Sequence, residues 1–221
     1  MNKEFFQILE NYMLEMMGDS AHDSLHIYRV LYQSLKISEA YKEVNRDVLI
    51  ASSLLHDIGR DSQFQNPRLC HAVEGGKMAY AFMKKMGWNE NLCAHIQDCI
   101  TTHRFRTNDP PKTIEAKILF DSDKLDVTGA LGIARSLIYK GQTGEPLYTV
   151  DRKNQIQDGR EPNSPESFLK EYHLKLIKLY DCFYTKEATE IAQKRKKLTT
   201  YFYNELMEEI AMKDLSELLR L

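Results

Sequence analysis

Apolar residues recur at intervals of three and four along nearly the whole chain, and this periodicity constrains the fold more than any other feature. The first segment carries Phe5, Leu9, Met13 and Met16 at such intervals before Gly18, which is typical of an amphipathic helix with a C-terminal stop. Alternation with a period of two is scarce. With 43% hydrophobic residues, the 221-residue chain can bury one main core, and we expect an all-α fold.

Polar residues and glycines mark where these helices begin and end. In the first half of the chain, the predicted helices are one capped by Asp23 or Ser24, one capped by Asp47 and ending at Gly59, one over 69–86, and one from Asn89 to about His103. The next predicted helix is capped by Thr113 and runs through Leu131, and two more cover 168–184 and 187–212. The sequence predicts three parts: a core over residues 1–140, an irregular loop over 141–165 that is rich in Gly and Pro, and C-terminal helices over 166–221 packed on the core.

The charge balance and the cysteines narrow the class of protein. Because 30 Lys and Arg face 32 Asp and Glu, a nucleic-acid polymer is not the expected partner. The four cysteines form no C-x-x-C pair, so neither a disulfide framework nor a cysteine-rich zinc site is expected. No apolar run approaches the ~20 residues of a membrane span. We therefore expect a cytoplasmic protein without a membrane partner.

Six of the seven histidines lie in the first half of the chain, and one is followed directly by an aspartate. His56 and Asp57 stand where an apolar helix runs out before Gly59. Neighbours on a helix point about 100° apart, so both side chains reach one metal ion only if it lies over the helix end. Alternatively, His56 caps the helix through its dipole while Asp57 begins a turn.

Three aspartates lie in an otherwise apolar segment, at positions 121, 123 and 126. A carboxylate that points into a core needs a cation or strong hydrogen-bond donors, and Asp123 is the favoured metal ligand. For Asp121 and Asp126, pairing with Lys124 or Arg135 on a solvated face is an equally good interpretation.

The order of these motifs resembles the HD-domain superfamily of metal-dependent phosphohydrolases, most closely its small stand-alone bacterial members. The matching residues are His22-Asp23-x-x-His26-x-x-Arg29, His56-Asp57-Ile58-Gly59 and Ser122-Asp123-Lys124, spread over about the first 140 residues. The resemblance implies an HD-domain helical bundle with additional C-terminal helices. It also implies that His26, His56, Asp57 and Asp123 bind one divalent ion.

Two more histidines match positions that recruit a second ion in some members of that superfamily. His71 precedes Gly75-Gly76, and His103 closes the next helix. They are candidates for a second metal site or for contacts to phosphate, whereas His95 is at least as well explained by a structural role.

Departures from the superfamily's motifs bear on the reaction. The chain has no Gly-Tyr-Pro and has Thr102-His103-Arg104 in place of His-His-Glu, which disfavours a cyclic dinucleotide as substrate. Arg60-Asp61 replaces the acidic pair of the guanosine-tetraphosphate hydrolases, which disfavours that substrate too and leaves Asp61 to orient the attacking water. Candidate cations for phosphoryl oxygens are Arg29, Arg60 and Lys124.

These features predict a hydrolase in which metal-bound water attacks phosphorus in a nucleotide or a related small phosphate ester or anhydride. The mixed imidazole and carboxylate ligands suit one Mn, Mg, Fe, Co or Ni ion, with a second ion as the alternative. Two other hypotheses are a catalytically weak nucleotide- or metal-sensing module and a scaffold whose metal is structural. The sequence also leaves a homodimer open.

Overall fold

The computed structural model describes residues 1–17, 24–104 and 109–211, which form helices joined by short turns together with one small β-ribbon. This confirms the predicted all-α class. The α-helices are α1 (Lys3–Met17), α2 (Ser24–Ser38), α3 (Arg46–Leu55), α4 (Arg60–Gln65), α5 (His71–Lys85), α6 (Glu90–Thr102), α7 (Ile114–Leu125), α8 (Gly129–Gln142), α9 (Phe168–Glu171) and α10 (Lys186–Ile210), and the strands are β1 (Thr149–Val150) and β2 (Ile156–Gln157).

The chain divides into two compact units, of which the first comprises Met1–Asp126 and Phe183–Ala188. Its core is apolar and lies between α1, α2, α3, α5, α6 and α7, with α5 packed along α6 and α3 placed against α2 and α6. Fully buried side chains such as Leu54, Met83 and Ile100 fill this core. Burial on this scale stabilises the unit through its apolar area.

Several predicted helix ends are confirmed, and three are wrong. One of these is the end predicted at Gly59, since α3 stops at Leu55. Asn89 and Thr113 cap α6 and α7 as expected, each accepting a hydrogen bond from a backbone N–H of the first turn. Helix α3 is capped by Asn45 rather than Asp47, because the Asn45 side chain accepts from the N–H groups of residues 47 and 48. The helix from Thr113 stops at Leu125 instead of passing Leu131, because a turn follows in which Gly129 has a φ of +64°.

The second unit comprises Val127–Cys182 and Thr189–Leu221. Its core gathers apolar residues from α8, α9 and α10, among them Ile133, Phe168 and Leu206. Within the predicted irregular loop, β1 and β2 pair antiparallel with Thr149 opposite Gln157. The predicted helix over 168–184 is α9 followed by a π-helical turn (Tyr172–Leu176) and a 3-10 helix (Ile177–Asp181).

The three-part division at residues 140 and 165 stays a prediction. The boundary between the two units lies between Asp126 and Val127, in the turn that connects α7 to α8. Residue 212, the predicted end of the last helix, is outside the described residues. No helix among the described residues is long and apolar enough to cross a membrane.

Asp121 is a buried carboxylate that anchors the return of the chain at Phe183–Ala188 to the first unit. It accepts hydrogen bonds from the backbone N–H groups of Tyr184 and Thr185, at 2.9 and 2.7 Å, and from the Thr185 hydroxyl at 2.6 Å. Burial raises the pKa of the Asp121 carboxyl to about 6, although these donors act in the opposite direction. Asp121 therefore has a structural role that the sequence left open.

Replacing Asp121 with alanine should destabilise the protein by about 3 kcal/mol, because three donors would lose a charged acceptor inside the protein. The measurement is the midpoint of urea unfolding followed by circular dichroism. Asp181→Ala is the control, because the Asp181 side chain is largely exposed. Among the described residues, its one ion-pair partner is Lys196 at 3.8 Å, and an exposed ion pair of this kind contributes little to stability. An equal effect of both substitutions would contradict the anchoring role.

Candidate metal centre

The His-Asp doublet lies just beyond the end of α3, as the interpretation of a site over a helix end required. Helix α3 stops at Leu55, His56 occupies the C-cap position, and Asp57 follows in the turn before α4. Both side chains are buried, with 0% and 3% of their surface exposed. His26 from the first turn of α2 and Asp123 from α7 meet them there, so residues far apart in the sequence converge at one point.

The four residues predicted as ligands of the first ion form one cluster, which we call cluster 1. The Nε2 atoms of His26 and His56 lie 3.3 Å apart, and Asp123 Oδ1 is 3.3 Å from the first and 3.9 Å from the second. Asp57 Oδ2 lies 3.7 Å from both nitrogens. One oxygen or nitrogen of each side chain therefore faces a common centre.

A second group, cluster 2, is formed by Asp57, His71 and His103. The other carboxylate oxygen of Asp57, Oδ1, lies 3.6 Å from His71 Nε2 and 3.7 Å from His103 Nε2. Asp57 is thus shared, with one oxygen directed at each cluster. The rings of His56 and His103 lie in edge-to-face contact with centroids 5.1 Å apart, so the two clusters adjoin.

The histidines of both clusters are held by their Nδ1 atoms, so that each Nε2 is directed at its cluster. His56 and His103 direct Nδ1 at the carbonyl oxygens of Ser53 and Ile100, one helical turn earlier. In His71 the Nδ1 atom lies 2.7 Å from Gln63 Oε1, and in His26 it lies 2.7 Å from Asp126 Oδ2. Outer partners of this kind fix the tautomer and ring orientation of metal-ligating histidines.

The charges in the site favour a bound cation. Burial would raise the pKa of Asp57, but His56 and Arg60 hold it well below its ordinary value. Burial likewise opposes ionisation of Asp123, whose pKa Lys124 and His26 keep low. Burial lowers the pKa of His56 to about 4 and that of His71 to about 3, so both imidazoles are neutral at pH 7. In His26, by contrast, burial would lower the pKa, but the hydrogen bonds with Asp123 and Asp126 raise it to about 9. A metal ion at cluster 1 would therefore have to displace a proton from His26.

Among the described residues, three buried side-chain atoms have no hydrogen-bond partner, and two of them, Asp57 Oδ1 and Arg60 Nε, lie in the site. Asp57 Oδ1 has no hydrogen-bond donor, because Arg60 Nε, although only 2.9 Å away, is not aligned with it. A buried carboxylate oxygen without a donor is costly unless a cation satisfies it. The converging Nε2 atoms and the mixed oxygen and nitrogen donors of cluster 1 fit a divalent metal ion.

The three predicted cations each contact a carboxylate of the site. Arg60 lies against Asp57, and Lys124 Nζ donates to Asp123 Oδ2 at 2.5 Å. Arg29 lies one step further out, since its Nε donates to Asp126 Oδ1 at 2.7 Å. The structure thus brings Arg60 and Lys124 to the clusters directly and Arg29 through Asp126.

The remaining predicted residues lie outside these contacts. Asp61 is half-buried beside Arg60 and takes no part in the carboxylate–histidine contacts of the described residues. His95 is part of a separate pair, with its Nε2 atom 3.2 Å from Glu115 Oε2, which agrees with a structural role. His22 of the first motif is outside the described residues.

Two residues that hold ligands were not among the predicted site residues. Asp126 follows Asp123 by three residues, which places both on one face of the chain, and this spacing was the one available signal. Gln63 gave none, because a glutamine in a short polar helix is unremarkable until its contact with His71 is seen.

Gly59 allows the turn that carries Asp57 to approach α5 closely. A Cβ atom at this position would lie 2.2 Å from the carbonyl oxygen of His71 and 2.5 Å from the backbone nitrogen of Gly75. The backbones of the two segments therefore touch, and this contact brings His71 to Asp57.

Gly59→Ala should destabilise the protein by about 3 kcal/mol, because backbone atoms must move to make room for the methyl group. Thermal unfolding measures this. Gly141→Ala is the matched control: no atom lies within 4 Å of the added Cβ, and alanine in a helix should stabilise by a few tenths of a kcal/mol or more. Equal melting temperatures for the two variants would contradict the close contact.

Comparison with known proteins agrees with this geometry. The sequence model of the HD domain matches residues 24–128. The protein YpgQ of Bacillus subtilis (strain 168) is 29% identical over 195 residues, which are 86% of this chain and 85% of YpgQ. A crystal structure of Bacillus subtilis YpgQ in complex with ADP has a TM-score of 0.71 at 25% identity and covers 95% of this chain and 100% of that chain. An HD-superfamily hydrolase from Bacillus thuringiensis has a TM-score of 0.71 at 26% identity and covers 94% of this chain and 97% of that chain. Residues 24–128 of this chain thus match the HD domain, and the fold is similar to that of an HD-superfamily hydrolase.

Proposed function

We propose that this protein is a metal-dependent phosphohydrolase that acts on a nucleotide or a closely related small phosphate compound. The observation that carries the proposal is cluster 1, in which two imidazole nitrogens and two ionised carboxylates face a common centre. His26, His56, Asp57 and Asp123 would hold the ion. When bound, a divalent ion in such a site acts as a Lewis acid and activates water for attack on phosphorus.

A phosphate compound is favoured as substrate by the cations around the carboxylates. Arg60 and Lys124 lie at the two clusters, with the Arg60 side chain 33% exposed and the Lys124 side chain 11% exposed. Both cations lie beside the carboxylates of the site, and fixed cations stabilise the charge on phosphoryl oxygens. The ADP complex of the relative YpgQ supports a nucleotide as the phosphate compound.

The other residues have roles that follow from where they lie. Asp126 and Gln63 orient His26 and His71, and Arg29 holds Asp126 in place. Asp61 is the candidate for accepting a proton from the attacking water, because it is a half-exposed carboxylate at the start of α4, next to Arg60.

The test is a hydrolysis screen with purified full-length protein. Nucleoside mono-, di- and triphosphates are incubated with Mn, Mg, Fe, Co or Ni ions, and phosphate and pyrophosphate are measured separately. We expect release of one product, dependent on the metal. Protein that binds metal and ADP but releases neither product from any substrate would contradict the proposal and favour a sensing module.

The Asp61→Asn variant separates an enzyme from a sensor more sharply. If Asp61 assists the attacking water, the variant should keep its metal and its affinity for ADP while losing turnover. A scaffold with a structural metal is separated by a chelator. Because the first unit has its own apolar core, chelation should abolish hydrolysis while the helical signal in circular dichroism persists.

A further inference from the structure

The two clusters differ in which carboxylate oxygen is already paired with a cation of the protein. In cluster 1, Lys124 Nζ contacts Asp123 Oδ2, whereas the oxygen that faces the histidines is Oδ1. In cluster 2, Arg60 Nε lies 2.9 Å from Asp57 Oδ1, the same oxygen that faces His71 and His103. Lys124 therefore leaves the Asp123 oxygen that faces cluster 1 uncovered. Arg60, in contrast, covers the Asp57 oxygen that faces cluster 2.

This difference rests on how Arg60 is held. It is the first residue of α4, directly after Gly59, and its buried Nε has no hydrogen-bond acceptor among the described residues. The guanidinium therefore stays beside Asp57 through charge and packing rather than through an aligned hydrogen bond. An arginine keeps its charge at every pH of interest, so it cannot give way to an incoming ion by losing a proton.

From this arrangement we propose that Arg60 takes the place of a second metal ion, so that the protein binds a single ion in cluster 1. This inference rests on the proposed metal-dependent function and adds to it the number of ions. A divalent ion on Asp57 Oδ1 would stand within a few ångströms of the guanidinium, and like charges that close repel strongly even at an intermediate dielectric constant. Cluster 2 keeps its histidines, but they have a protein cation as their neighbour.

The outer partners of the histidines act in the same direction. In cluster 1, the carboxyl group of Asp126 lies behind His26, and an outer carboxylate increases the basicity of such a ring. In cluster 2, both outer partners are neutral, a side-chain amide at Gln63 and a backbone carbonyl at Ile100. Cluster 2 would therefore be the weaker site even without Arg60, and the guanidinium adds to that difference.

The test is the number of Mn²⁺ ions bound per chain, measured by isothermal titration calorimetry and by the spin-resonance signal of free Mn²⁺. We expect one ion for the wild type and two for Arg60→Gln and Arg60→Ala, with affinity at cluster 2 raised at least ~10-fold. Two variants are used because alanine also removes packing. Circular dichroism checks that each is folded.

Arg60→Lys is the matched control at the same position, because it keeps a positive charge, and it should bind one ion. Adding His103→Ala to Arg60→Gln should return the count to one, which locates the second ion in cluster 2. Two ions in the wild type would overturn this inference but not the proposed function. One ion in the folded Arg60→Gln and Arg60→Ala variants would do the same. No ion in the wild type would overturn the metal-dependent function as well, whereas a bound ion without hydrolysis would refute only that function.

Discussion

Asp57→Asn should remove the bound metal ion and lower hydrolysis of the best substrate by at least ~100-fold, the scale expected when one preorganised charged group is lost. The reason is that Asp57 is shared by both clusters. Its Oδ2 atom faces His26 and His56, and its Oδ1 atom faces His71 and His103. The substitution keeps the shape of the side chain but removes the negative charge that a divalent ion requires.

The measurements for Asp57→Asn are ions bound per chain and the rate of product release at saturating metal. Asp98→Asn is the control, because Asp98 is an exposed residue of α6 and the same chemical change there should alter neither quantity. An Asp57→Asn protein that keeps its ion and its rate would contradict the assignment of the centre.

Asp126→Ala should weaken metal binding by about 10- to 100-fold, which is the usual effect of losing an outer partner of a ligand. Asp126 is buried, with Oδ2 2.7 Å from His26 Nδ1 and both oxygens in contact with Arg29. Without it, the His26 ring loses the acceptor that fixes its tautomer, and Arg29 loses its partner. Hydrolysis at limiting metal should fall in parallel and recover in part at high metal concentration.

Glu115→Ala is the matched control for Asp126→Ala. It removes a buried carboxylate of α7 that contacts another histidine, His95, away from both clusters. We expect it to lower stability without changing the dissociation constant of Mn²⁺. If the two variants bind Mn²⁺ equally well, Asp126 does not position His26.

The helical class could be predicted from sequence because the spacing of apolar residues is a local property that each helix carries by itself. The end of α7 could not, because Ile118, Leu125 and Leu131 continue the same periodicity across the turn at Asp126. The short helix α4 was missed for the opposite reason. It buries no residue, so it has no apolar spacing to reveal it.

The candidate site was predictable to the extent that its residues stand next to each other in sequence or follow the superfamily's motif order. His56 and Asp57 are of the first kind, and His26 and Asp123 of the second. The pairing of His26 with Asp126 lies outside that motif order, and its one signal in the sequence was the three-residue spacing of Asp123 and Asp126. Arg60 contacts the Oδ1 atom of Asp57 rather than the Oδ2 atom. The spacing of residues in the sequence carries no information on such a choice between two atoms of one side chain.

The ligands of the centre are spread over residues 26–123, and only the folded first unit brings them together. An unfolded chain can offer an ion only groups that are close in sequence, such as His56 and Asp57. Binding therefore discriminates between the folded and unfolded states, and free metal at 100 times its dissociation constant should add about 2.7 kcal/mol to the free energy of unfolding. In a cell, the availability of the metal would then set how long the protein survives as well as how fast it works, because ion-poor molecules unfold more often and become accessible to proteases.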